Sequence, residues 1–176
     1  AAILEATERI LFRVGDDEGL VRLYAKWLER KPPAAVDHAL RIALATTLET
    51  TSPAQAVEVL EALVGVVPSN VPALRRLEHL HRARRSYQQL SSTLYQQANV
   101  LSSKLARAGA LWEIVTLEER LGASVTLDAL SRIVREFPSD TGALDTIIRV
   151  ASRLVSNVGV PHPALLAARS QLVSAI

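Results

Sequence analysis

Two histidines, His79 and His81, and an acidic run, Asp16-Asp17-Glu18, are the first groups in this sequence whose types suggest chemistry. Ligands to one metal ion must converge on a point. Residues two apart on a helix diverge by about 200°, so His79 and His81 cannot chelate together. His38 and His162 stand alone. The acidic run is too short for a calcium loop, which takes about 12 residues. Just ahead of an apolar stretch it reads instead as a helix start, through capping and the helix dipole, and Asp140 ahead of Leu144 reads the same way. The chain contains no Cys, which removes disulfides, thiolate metal sites and cysteine nucleophiles. It also lacks G-x-S-x-G, a P-loop, G-x-G-x-x-G and H-E-x-x-H. The sequence therefore predicts no enzyme, no cofactor and no metal site.

A different chemistry is written in the charge. The formal net charge is only +2, but it is unevenly spread. Residues 1–68 carry 7 basic and 10 acidic side chains, residues 69–112 carry 7 and 1, and residues 113–176 carry 6 and 7. Much of the central excess lies in RRLEHLHRARR, residues 75–85. Within it Arg75, His79 and Arg82 are spaced i, i+4, i+7, one helical stripe opposite Leu74, Leu77 and Leu80. Charge runs are usually solvated helix faces, but a solvating face normally mixes signs, and this one hardly does. With 17 Arg against 3 Lys, the chain favours the planar cation that pairs well with carboxylates.

Such side chains need helices to hold them. Leu (27) and Ala (26) dominate the 176 residues while aromatics are 4%, a composition suited to helices and poor for a sandwich or barrel. Apolar residues recur at helical spacing between Pro and Gly breaks. Lys31-Pro32-Pro33, Val67-Pro68 and Phe137-Pro138 end helices, because a residue before Pro is pushed out of the α region. Ser52, with Gln55 three residues on and Pro53 between, has the form of a capping box. Ten helices are predicted, over 2–14, 18–30, 34–50, 53–66, 71–84, 87–101, 104–121, 126–136, 141–156 and 163–175. No strand is predicted, and no uncharged run is apolar enough to cross a bilayer. The absence of Met and the start at Ala1 predict a piece of a longer protein; the absence of Cys suits the cytoplasm.

Short one-sided helices must stack as hairpins, and these repeat. Residues 67–74 (VPSNVPAL) and 137–144 (FPSDTGAL) share a pattern, with Pro68 and Pro138 separated by 70 residues, twice 35. Pro32 lies 36 residues before Pro68. On these features the chain resembles a divergent tetratricopeptide repeat protein. That family's pattern places Leu40, Ala43, Ala56, Leu60, Leu63 and Pro68 at matching positions of residues 37–70. Leu74, Leu77 and Leu94 match in 71–104, while Leu90 stands where the family has Ala and Ser102 where it has Pro. Leu130, Ile133 and Pro138 match in 107–140, with Thr126 at the Ala position. Leu4, Leu11, Tyr24 and Trp27 match in 1–34, and Leu144 and Ile147 in 141–176.

The resemblance implies one all-α domain over 1–176, a right-handed superhelical stack of about five antiparallel hairpins. It implies a non-enzymatic interaction module, a scaffold or adaptor, with a concave groove. At groove positions it would place Arg41, Arg75, His79, Arg82 and Arg149, with Trp112 as an aromatic contact, while Trp27 falls at a packing position. The expected partner is an acidic protein or peptide. No small-molecule substrate and no membrane insertion are expected. The same Arg cluster on nucleic-acid phosphates is the alternative, disfavoured by the neutral or acidic remainder and the few aromatics. A purely architectural or self-associating segment is the third. The carboxylate-clamp version of the family is not supported, since no Asn sits at its paired positions.

Overall fold

The computed structural model describes residues 2–138, 141–158 and 163. Its helices are α1 (Ala2–Val14), α2 (Asp17–Leu28), α3 (Ala34–Thr51), α4 (Pro53–Val66), α5 (Val71–Ala83), α6 (Tyr87–Val100), α7 (Lys104–Thr116), the short α8 (Glu118–Leu121), α9 (Ala123–Glu136) and α10 (Thr141–Val158). Among the described residues there is no strand, and the fold is all-α. No helix among them is long and apolar enough to cross a membrane. The helix expected over 163–175 and the cap expected at Asp140 lie outside the described residues.

The start signals work unequally. Asp16 caps α2, its carboxylate accepting the Gly19 N–H at 2.8 Å, so the acidic run is a helix start as its position predicts. Asn70 caps α5 through the Ala73 N–H at 3.1 Å. Ser52 stands at the N-cap of α4 with Pro53 behind it, but its side chain makes no capping bond, so the expected capping box is not formed. The stretch expected as one helix over 104–121 breaks at Leu117 into α7 and α8, and Gly122, at φ +85°, turns the chain directly into α9, three residues earlier than expected.

The chain folds as two compact units, the first closing at Arg84 and the second opening at Arg85. This boundary falls inside the expected unit 71–104, between its two helices. Within each unit, helices near in the chain pack on one another: α2 on α3, α3 on α4 and α4 on α5 in the first; in the second, α6 on α7, α7 on α9 across the short α8, and α9 on α10. Short connections force this neighbour packing.

Equivalent positions of the repeat are buried alike. Ala56, Leu90 and Thr126 are at most 1% exposed, and so are Leu60, Leu94 and Leu130 four residues further on. Thr126 tolerates that depth because its hydroxyl donates to the Gly122 carbonyl at 3.3 Å. The first hairpin is looser. Tyr24 is buried, its hydroxyl donating to Glu8 Oε1 at 2.6 Å, which together with desolvation holds the phenol well above its ordinary range. Leu4, Leu11 and Trp27 are only partly buried, and Ile3, Ile10 and Phe12 are exposed, because α1 packs chiefly on α2 among the described helices. In the second unit Arg107 ties three elements together. It donates to both oxygens of Glu136 at the end of α9 and to the Leu101 and Ser102 carbonyls after α6, all at 2.9 Å.

Candidate partner-binding surface

Helix α5 sorts the histidine and arginine cluster as its spacing predicts. Leu74, Leu77 and Leu80 are at most 4% exposed, while Arg75, His79 and Arg82 are exposed on the other side. His79 and His81 face apart: His81 is 4% exposed, and burial lowers its pKa below the ordinary 6.5, an effect reinforced by Arg84 and opposed by Glu61. Among the described residues no group of three or more His, Asp or Glu is placed to hold a metal ion.

The cations of the first unit are not equally available. Arg41, on α3, donates Nε to Asp37 at 2.7 Å, so much of its charge is met within its own helix. Arg82 pairs likewise with Glu78 at 2.7 Å while its side chain stays 50% exposed. Arg76 reaches across to Glu49 on α3 at 2.7 Å, with both side chains partly exposed, a pair contributing about 1 kcal/mol or less after screening. Arg75 and His79 differ. Among the described residues neither has a hydrogen-bond or ion-pair partner.

Arg75 and His79 also share a hollow of about 490 Å³, which they line with Val71, Pro72, Arg76 and Glu49. It lies where the first two turns of α5 meet the last turn of α3, and the N-terminal end of α5 adds positive potential there. A second hollow of about 340 Å³, lined by Asp17, Glu18, Val21, Arg22, Leu48, Thr51, Ser52 and Gln55, has no basic excess.

The other two expected site residues belong to the second unit. Arg149 is exposed on α10. Trp112 is partly buried against the core formed by Leu111, Ile114, Leu130 and Ile133. The exposed guanidiniums are thus spread over both units, and within the first the hollow gathers Arg75 and His79 but not Arg41 or Arg82. The sequence reading placed Arg76 in the basic cluster but not at the groove, and it passed over Glu49, Val71 and Pro72. Nothing local marks Glu49 as a partner of a residue 27 positions away.

An all-α array of hairpins with equivalent buried positions is a helical-repeat fold. Two crystal structures share it. One, described as MamA protein, superposes with a TM-score of 0.53 at 17% identity, covering 99% of this chain and 88% of that one. Another, described as MamA, gives 0.50 at 16% identity, covering 94% and 91%. No protein-family model matches the chain, and no curated protein sequence matches it significantly.

Proposed function

We propose that this chain is a non-enzymatic interaction module of the tetratricopeptide-like kind, a scaffold or adaptor that binds an acidic peptide or protein surface. The observation that carries the reading is the exposed stripe Arg75, His79 and Arg82 on α5, with Arg75 and His79 lacking a partner among the described residues. An unmatched guanidinium beside a hollow gains a charge-assisted bond from a carboxylate without breaking one of its own. Arg41, Arg149 and Trp112 are proposed as further contacts, with Asp37 competing for Arg41. Helical repeats of this type present extended surfaces, which suits a protein partner.

The nucleic-acid alternative has less support. Tyr87 and Tyr95 lie under Arg120 and Arg132, at 5.2 and 5.4 Å, so these rings are engaged on one face before any base arrives. The test is titration of the chain with a fluorescein-labelled oligoglutamate peptide and, separately, with labelled oligothymidylate. The proposal expects saturable peptide binding that Arg75→Glu with Arg82→Glu abolishes in a variant of unchanged helical content. Unchanged affinity in that variant sinks it, as does binding of oligothymidylate alone with a steep salt slope.

A further inference from the structure

We infer that the hollow between α3 and α5 is a subsite for a single side-chain carboxylate with an apolar neighbour, an Asp or Glu beside an aliphatic residue of the partner chain. The inference rests on the acidic-partner reading above and assigns it a place and a selectivity. Three features of the hollow carry it.

The first is spacing. Arg75 and His79 are one turn apart on the same face of α5, which sets their Cβ atoms about 5–6 Å apart. Their donors can converge on the two oxygens of one planar carboxylate, and Arg supplies the fork that such a group prefers.

The second is the lining at the start of α5. Val71 and Pro72 present carbon, and Pro72 brings no backbone N–H to be satisfied. An aliphatic side chain laid there loses water contact without stranding a donor, whereas a polar one gains no partner.

The third is Glu49. It engages Arg76, so the two cancel and, of the Arg and Glu side chains lining the hollow, leave the charge of Arg75 unmatched. One carboxylate balances that charge. A phosphoryl group carries about 1.5 to 2 negative charges, and the part beyond one would find no matching cation there. Glu49 thus selects through charge balance: by neutralising Arg76 it leaves a single positive charge, which one carboxylate meets and a phosphoryl group exceeds.

The experiment uses four short labelled peptides in a Gly/Ser background, carrying Glu-Leu, Gln-Leu, Glu-Ser or phosphoserine-Leu, read by fluorescence anisotropy. The wild-type chain should bind Glu-Leu about tenfold or more tightly than Gln-Leu, the scale of a lost charge-assisted bond. It should also prefer Glu-Leu to Glu-Ser. Arg75→Gln should erase the Glu-over-Gln preference, and Glu49→Gln should raise affinity for phosphoserine-Leu about threefold or more relative to Glu-Leu. Circular dichroism confirms that both variants remain helical. If Glu-Leu binding responds to Arg82→Glu but not to Arg75→Gln, the subsite fails while the acidic-partner reading stands. If no acidic peptide binds the wild-type chain, both fail. If phosphoserine-Leu binds wild type best, the selectivity assigned to Glu49 is overturned.

Discussion

Replacing Gly19 by Ala should destabilise the first unit, although the same change elsewhere in a helix stabilises. Gly19 is buried in the first turn of α2, and its N–H is the donor that Asp16 caps. A Cβ placed on it would stand 2.7 Å from the Asp16 carboxyl carbon and 2.9 Å from a Leu11 methyl, with an Asp16 oxygen nearer still. Both neighbours must move. Losing the cap costs about 1 kcal/mol. Crowding Leu11, which is only partly buried and can rotate, adds about 1 kcal/mol. The gain in helix propensity returns at most about 1 kcal/mol. The net expectation is a loss of about 1 kcal/mol. Gly65, exposed on α4, is the control, because a Cβ there meets nothing within 4 Å. Gly65→Ala should stabilise by about 0.5–1 kcal/mol, so two chemically identical substitutions should move the urea midpoint in opposite directions. Urea titration followed by far-ultraviolet circular dichroism reads both. In an Asp16→Ala background the penalty at Gly19 should shrink, since the carboxylate is no longer there to be displaced. A Gly19→Ala midpoint that rises as far as that of Gly65→Ala would refute the close packing on which this reasoning depends.

Two further outcomes concern His81 and the two left-handed helix ends. His81 is held neutral by burial, so the unfolded chain binds more protons than the folded one between its lowered pKa and the ordinary 6.5. Stability should therefore fall as pH drops below about 6.5, and His81→Gln should flatten that slope in urea titrations at successive pH values. Lys31 and Arg85 adopt φ +50° and +55°, the left-handed region, just past the ends of α2 and α5. Lys31→Gly and Arg85→Gly should each raise the denaturation midpoint, by about 0.5–1 kcal/mol in stability, by relieving the Cβ penalty.

Helix order was legible because its punctuation is local. Asp16 and Pro53 stand at or beside helix starts, and Pro32, Pro68 and Pro138 stand just past helix ends. The amphipathic sorting of α5 was legible for a similar reason, since Leu74, Leu77 and Leu80 fix which side is buried. The break at Leu117 was not, because the apolar spacing of Leu111, Ile114, Leu117 and Leu121 continues through it without Pro or Gly. Only Gly122 signalled a turn nearby. The partial exposure of Trp27 was likewise hidden: Arg30 covers its ring at 4.9 Å, a contact that periodicity alone reads as core. At the candidate site, the cations were readable as residues but not as free or engaged groups. Whether Arg76 meets Glu49 depends on how α3 lies against α5, and that is set by tertiary packing.

The positions of the two tryptophans have a practical consequence. Trp27 belongs to the first compact unit and Trp112 to the second, and the chain contains no other tryptophan. Each unit therefore carries its own intrinsic fluorophore. Replacing one indole by Phe leaves emission from the other unit alone, so the melting of each half becomes separately visible without a dye. The order in which the halves come apart, and which of them a bound peptide protects, can then be read optically.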